Sequence, residues 1–248
     1  MSNICFACNG CGQCCQGHHI PLTLQESKCW VMDGGQIVIF VEGYFKGGAG
    51  DEDDPMCHIA RRSYPVPSGT SVARVIATFA AFNPGRCRYL KEDNRCGQYD
   101  SRPLVCQIYP AEINPYIKLD PVIKDCPSDV WSGELPLILR NSEYAPELLV
   151  LIERSRQADR DDIQNKVAIC EYLNINISAL KGHGVTAWLP AASIFLEAFD
   201  VVTQDLRKPS LSWNFDSLDD QVRVKLNSIG ATVSSSESCG GVLINFKV

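Results

Sequence analysis

Residues 5–15 read CFACNGCGQCC, with thiols at Cys5, Cys8, Cys11, Cys14 and Cys15. A thiolate is the preferred protein ligand for zinc and for iron–sulfur clusters. Cys-x-x-Cys is the short spacing that lets two side chains converge on one centre from a tight turn. Here that spacing repeats from Cys5 through Cys8 and Cys11 to Cys14, and Gly10 and Gly12 leave the backbone free to fold closely around an ion. Read from Cys5 to Cys15, the run is also C-x2-C-x2-C-x3-C, the bacterial ferredoxin spacing, with Gln16 where a proline usually follows. Adjacent residues in an extended segment point to opposite sides, so Cys14 and Cys15 serve two centres more easily than one. His18 and His19 follow closely; a solvated turn before Pro21 describes them better than ligation, which needs neutral, oriented imidazoles.

The remaining ligands must come from farther along. CRYLKEDNRCGQYDSRPLVCQIYP (87–110) supplies Cys87, Cys96 and Cys106, and KDCP supplies Cys126. The order C-x2-C-G-x-C-C, then C-x-Y-L…C-x-x-Y-D-x-R-P-x-x-C-x-x-Y-P, then a late C-P, resembles the CxxCxxCC cysteine-cluster family, a zinc- or iron-chelating domain, over roughly residues 8–127. Tyr99, Asp100, Arg102 and Pro103 fall between two of its cysteines. The resemblance implies Cys8, Cys11, Cys14, Cys15, Cys87, Cys96, Cys106 and Cys126 as metal ligands. Eight thiolates suit two four-coordinate sites, in line with the adjacent pair. Cys5 is an addition to that pattern and stays beside the eight as a ninth candidate; Cys57 lies in an insertion. The flagellin lysine methylases carry a similar cluster and use S-adenosylmethionine, which implies a methyltransferase as one reading. The others are a redox or group-transfer enzyme acting on a small molecule or peptide, and a non-catalytic scaffold or metal-handling module.

Spacing does not separate zinc from iron, since four cysteines suit both. With so many thiolates and few compensating charges, one or two 4Fe–4S clusters are preferred over Zn2+. Arg102 is the candidate cofactor-binding residue: its guanidinium could donate to cluster sulfurs or hold Asp100, with a substrate carboxylate as the alternative. Pro103 shapes the turn that returns Cys106. His58 beside Cys57 lacks a spacing partner. Asp51, Glu52, Asp53 and Asp54 read as a solvated acidic loop rather than a cation site. No EF-hand, Walker A, GxSxG, HExxH or GxGxxG pattern occurs, and GGAG (47–50) leads into acid rather than a helix.

Behind these residues stands an ordinary globular composition. Of 248 residues 45% are hydrophobic, enough for one good core or a larger and a smaller one. A net charge of −6 argues against nucleic acid as the main partner. No apolar run reaches membrane length and no basic-then-apolar leader is visible, so a cytosolic protein without a membrane partner is expected. In that compartment 13 cysteines, an odd number, read as metal ligands rather than a disulfide framework. Eleven of them lie in residues 1–126; only Cys170 and Cys239 lie beyond.

The expected fold is α+β, with a cysteine-rich, metal-organised part over 1–130 and a mainly helical part over 131–248, either a separate domain or packed on the first as one unit. Metal would supply folding energy where periodicity is poor. QIVIFVEG reads as strand. TSVARVIATFAAF (70–82) reads as a buried helix capped by Thr70 or Ser71. Residues 142–174 read as one or two amphipathic helices, capped by Ser142, with Leu148, Leu149, Ile152, Ile163, Val167 and Cys170 on apolar faces. Residues 192–206 and 218–230 read as further helices, the last stopped by Gly230, and GGVLINFKV has strand character. Cys170 reads as a small core residue.

Overall fold

Ile37–Phe45 is β-branched and aromatic at most positions and buried along nearly its whole length, which suits a central strand with neighbours on both edges. In the computed structural model, which describes residues 3–45 and 55–246, it is one. The strands in chain order are β1 (Ile4–Cys5), β2 (Ile20–Pro21), β3 (Ile37–Phe45), β4 (Tyr64–Ser68), β5 (Ser71–Ala81), β6 (Leu137–Arg140), β7 (Glu143–Tyr144), β8 (Ile177–Leu180), β9 (Gly184–Trp188), β10 (Asn214–Asp216), β11 (Thr232–Val233) and β12 (Val242–Asn245). The α-helices are α1 (Leu24–Met32), α2 (Pro55–Arg61), α3 (Leu104–Ile108), α4 (Pro146–Tyr172), α5 (Ala192–Gln204) and α6 (Asp220–Ser228). GGAG (47–50) and Asp51, Glu52, Asp53 and Asp54 lie outside the described residues. Among the described residues no helix is long and apolar enough to cross a membrane.

The chain forms two compact units, each built from separated segments: one from residues up to Ile20 with Phe82–Ala158, the other from Pro21–Ala81 with Asp159–Val248. They do not follow a division at residue 130. Nor is the region 131–248 mainly helical, since it carries β6–β12 as well as α4, α5 and α6. The mixed α+β class holds.

In the second unit β3 pairs antiparallel with β5 from Ile37↔Ala81 to Phe45↔Ala73, antiparallel with β9, and parallel with β8. The sheet continues from β8 through β10 to β11, with β4 on β5 and β12 on β9. Its core includes Ile39, Val41, Phe79, Phe195, Trp213 and Phe215, all fully buried. Thr23 caps α1 through a capping box with Glu26, and Asp219 caps α6. Gly230 (φ 77°) ends α6 as expected.

Residues 70–82 are not a helix. The run is β5, paired along one edge with β3 and along the other with β4. A segment buried on both faces has neither a helical nor an alternating period, and the β-branched Val72, Val75, Ile76 and Thr78 tip it to strand. Thr70 donates its N–H to Gly230 O (2.9 Å) and Ser71 its hydroxyl to Ile229 O, so neither caps a helix. Ser142 is no cap either: with φ 72° it turns the β6–β7 hairpin, and α4 begins at Pro146, a residue suited to a first helical turn. Residues 146–172 are one helix, on which Ile152, Ile163, Val167 and Cys170 are buried and Leu149 is exposed.

Apart from the start of α4, the first unit has short regular elements. β1, β6 and β7 form a small antiparallel sheet over Ile4, Leu119 and Leu139. Leu104, Ile108, Ala111 and Ile152 form a second small core. Between these lie 3-10 turns, at Gln13–Cys15 and Tyr99–Ser101 among others.

Candidate metal centre

The cysteine run is shaped by left-handed glycines. Gly10 (φ 74°) and Gly12 (φ 72°) bracket Cys11, whose N–H donates to Asn9 Oδ1 (3.1 Å). A Cβ on Gly12 would meet Asn94 O and Leu90 Cδ1, each at 2.9 Å, so close approach as well as φ demands glycine. The turn Gln13–Cys15 follows, with Cys15 N–H on Gly12 O (3.1 Å).

Two sets of backbone contacts then sort the thiols. On one side, Ala7 N–H donates to Val130 O (3.2 Å) and Phe6 N–H to Pro136 O (2.9 Å). Asn9 Nδ2 donates to Asp129 Oδ2 (3.1 Å), and Phe6 packs on Trp131 with ring centroids 4.8 Å apart. These contacts bring the start of the run beside Cys126. On the other side, Cys87 N–H donates to Cys15 O (2.8 Å), and Gln16 and Arg86 form a β-bridge. Lys91–Asn94 then turns tightly, with Asn94 at φ 64°, and the Leu90–Cys96 bridge returns Cys96 toward Cys87. Cys106 sits on α3, which Leu104 and Ile108 anchor in the core one helical turn apart.

The electrostatic neighbours of Cys14, Cys126, Cys87 and Cys106 follow this division, apart from the bond between Cys14 and Cys15. Cys14 is influenced by Cys15, Cys126 and Cys8, and Cys126 by Cys11 and Cys8. Cys87 is influenced by Cys15 and Cys96, and Cys106 by Cys15, Cys87 and Cys96. By these contacts and influences the eight sort into two groups of four: Cys8, Cys11, Cys14 and Cys126, and Cys15, Cys87, Cys96 and Cys106. The adjacent pair, one in each four, joins them.

The hydrogen bond between Cys14 and Cys15 pushes the Cys14 thiol up and lowers Cys15 to about 7, with Arg102 and His18 adding to the lowering against the effect of burial. Burial raises Cys87 and Cys126 and lifts Cys106 to about 12. Burial, and then its hydrogen bond with Cys126 Sγ (3.6 Å), in which the phenol O–H is the donor when the thiol is ionised, raise Tyr109. Burial makes Cys87, Cys106 and Cys126 resist ionisation on their own, a cost that a soft cation offsets, so these residues fit zinc or an iron–sulfur cluster. As the side chains are placed, no three His, Cys, Asp or Glu among the described residues converge on one ion position.

The other candidates have defined places. Arg102 Nε donates to Tyr99 O (3.0 Å), its guanidinium lies 3.8 Å from the Tyr99 ring centroid, and its charge favours the thiolates of Cys15 and Cys106. Cys5 lies in β1, in neither four, with its Sγ on Gly133 O (3.8 Å). His18 pairs with Asp125 (3.0 Å), and His19 Nδ1 accepts from Asn83 N–H (3.0 Å). Cys57 and His58 are on α2 in the second unit. Cys170 is fully buried, and Cys29 and Cys239 are exposed. Tyr109 and Asp125, which touch the first four, were not singled out from the sequence; Asp125 could have been found by its place beside Cys126, and Tyr109 by its place three residues after Cys106.

No curated protein and no solved structure matches this chain. A family model, CxxCxxCC, described as "Putative zinc- or iron-chelating domain", matches residues 7–126, a span that contains all eight paired-off thiols. Over residues 7–126, just under half of its length, the chain is similar to the CxxCxxCC family of cysteine clusters.

Proposed function

We propose that the first unit holds two four-thiolate centres, Cys8/Cys11/Cys14/Cys126 and Cys15/Cys87/Cys96/Cys106, and that both take iron–sulfur clusters. The observation that carries this reading is the partition of the eight thiols into two fours that divide the adjacent pair.

The first four also supports iron by its spacing. Cys8-x2-Cys11-x2-Cys14, completed by a remote cysteine followed by proline (Cys126-Pro127), has the ligand logic of a two-cluster bacterial ferredoxin, where a distant Cys-Pro completes a C-x2-C-x2-C run. The ferredoxin-like run is thus read from Cys8 rather than Cys5, and the proline absent after Cys15 is found after Cys126. Charge does not decide the metal. Four thiolates around zinc and four around an oxidised four-iron cluster leave the same net charge, so the argument from thiolate repulsion gives way to spacing. An iron–sulfur cluster supplies one-electron transfer when bound. The chain's own residues supply the ligands, the Arg102 guanidinium whose charge favours the Cys15 and Cys106 thiolates, and the Tyr109 hydroxyl, 3.6 Å from Cys126 Sγ, which would donate to that sulfur as a thiolate.

The test is metal content in paired variants purified without oxygen. Cys8→Ser and Cys126→Ser should each lose the same half of the bound metal, and the double variant no more than either alone. Cys96→Ser and Cys106→Ser should lose the other half, and Cys5→Ser none. A Cys8→Ser/Cys126→Ser chain that loses all its metal would mean one shared centre and overturn the reading.

A further inference from the structure

Cys126 comes from a stretch that the cores do not hold. Leu119 and Val130 are buried, no residue between them is, and the apolar side chains of Val122 and Ile123 face solvent. The other remote cysteines have backbone or core anchors. Cys87 bonds through its N–H to Cys15 O, Cys96 is in a β-bridge, and Cys106 rides on a helix anchored in a core. Around Cys126 there is a side-chain clasp instead. Lys124 Nζ lies 2.5 Å from Glu112 Oε1, with side chains only 14% and 17% exposed. The same amine stands 5.7 Å from the centroid of the Tyr109 ring, whose hydroxyl is 3.6 Å from Cys126 Sγ. Glu112 is a fixed post. Its N–H donates to Tyr144 Oη (3.0 Å), the next carbonyl, Ile113 O, accepts from Arg156 Nε (2.7 Å), and the preceding Ala111 is in the core with Leu104, Ile108 and Ile152. The stretch has two further ties, His18–Asp125 (3.0 Å), about half exposed, and the exposed Asn9–Asp129 bond (3.1 Å), and exposed ties of this kind hold little.

Resting on the two-centre reading, we infer that Glu112 is a positioning residue for the Cys8/Cys11/Cys14/Cys126 centre: it clasps Lys124 and so fixes the stretch that presents Cys126. It does this although it follows Cys106, a ligand of the other centre, in the chain. A thiolate on a loosely held stretch must be ordered when metal binds, and that ordering lowers affinity; a clasp formed beforehand removes the cost. Without the carboxylate, the half-buried amine has lost its partner and turns outward to water, taking the stretch with it. Glu112 acts on the metal only through Lys124 and the chain that joins it to Cys126.

The experiment titrates cobalt(II) alone into the full chain, stripped of metal and reduced, without oxygen, and follows the thiolate-to-cobalt absorption. Wild type should bind two ions. Cys96→Ser leaves the Cys126 centre and Cys126→Ser leaves the other. Glu112→Gln should weaken cobalt about tenfold in the Cys96→Ser chain, the size of losing an outer partner of a ligand, and change nothing in the Cys126→Ser chain. Lys124→Met should match it. In the otherwise wild-type chain Glu112→Gln should leave one of the two ions as tightly held as before. The exchanged pair, Glu112→Lys with Lys124→Glu, should recover most of the loss. Unchanged binding in the Cys96→Ser chain with either single variant, or equal weakening in both cysteine backgrounds, would overturn the inference while leaving the two centres standing. An exchanged pair no tighter than the single variants would overturn the clasp as its cause. Fewer than two cobalt ions per wild-type chain would overturn the inference and the two-centre reading together.

Discussion

Among single residues, Gly12 decides most for the fewest atoms. It turns the chain between Cys11 and Cys14 with φ 72°, and its missing Cβ leaves room for Asn94 O and Leu90 Cδ1. Gly17 has the same φ, but nothing lies within 4 Å of where its Cβ would stand. The pair separates conformational strain from collision. Gly17→Ala should cost about 1 kcal/mol in urea unfolding and leave metal content unchanged, since only the left-handed backbone is penalised. Gly12→Ala should cost about 2 kcal/mol or more and lower metal content, because the Lys91–Asn94 turn that returns Cys96 must move aside. Equal effects on metal content would remove Gly12 from the account. At this scale the sequence was informative. The thiol types, their spacing and the adjacent pair all point to two centres. It does not tell which remote cysteine belongs with which proposed centre, because Cys87, Cys96, Cys106 and Cys126 carry no mark of their neighbours in the sequence.

Secondary structure elements were legible in proportion to their period. The helices Ala192–Gln204 and Asp220–Ser228 follow their apolar pattern, the second with Asp219 as its cap, and Ile37–Phe45 its β-branched run. Residues 70–82 did not, since burial on both faces erases the period that tells strand from helix. Nor could the pattern on α4 show what its polar residues do. In the second unit Lys166 is 4% exposed by side chain, donates to Leu22 O (3.2 Å), and lies 3.9 Å from Asp159 and 4.0 Å from Asp162. Asp162 also accepts the first N–H of α1, from Leu24 (2.7 Å). Burial lowers the Lys166 amine and raises the Asp162 carboxyl, so desolvation outweighs their attraction at these separations. Asp162→Ala strands a buried cation and an α1 amide together and should destabilise by about 3 kcal/mol. Lys166→Met removes the buried charge itself and should cost clearly less. Urea unfolding of both variants checks this; a larger loss for Lys166→Met would show that the pair is net attractive.

For the whole molecule, chain order was the poorest guide. The cysteine-rich segment is one stretch in sequence, yet residues 21–81 belong to the sheet unit, and the first unit is rejoined only at Phe82. Within that unit the two ends of the interruption lie together: His19 stacks on Phe82 at 5.2 Å and accepts the Asn83 N–H. A boundary near residue 130 follows from where cysteines thin out, but composition does not record which segments pair across a long gap. On the proposed two-centre reading, ligation of separated segments would supply folding energy beyond what the two small apolar cores of the first unit provide. The measurement that tests this most directly is iron, acid-labile sulfide and zinc per chain, with an absorption spectrum, on one sample purified without oxygen. Two four-thiolate iron–sulfur centres predict a brown protein with about eight iron and about eight sulfide per chain and no zinc. A colourless protein with zinc and no sulfide would contradict the iron–sulfur assignment, and one that keeps no metal yet stays folded would contradict the metal-organised unit itself.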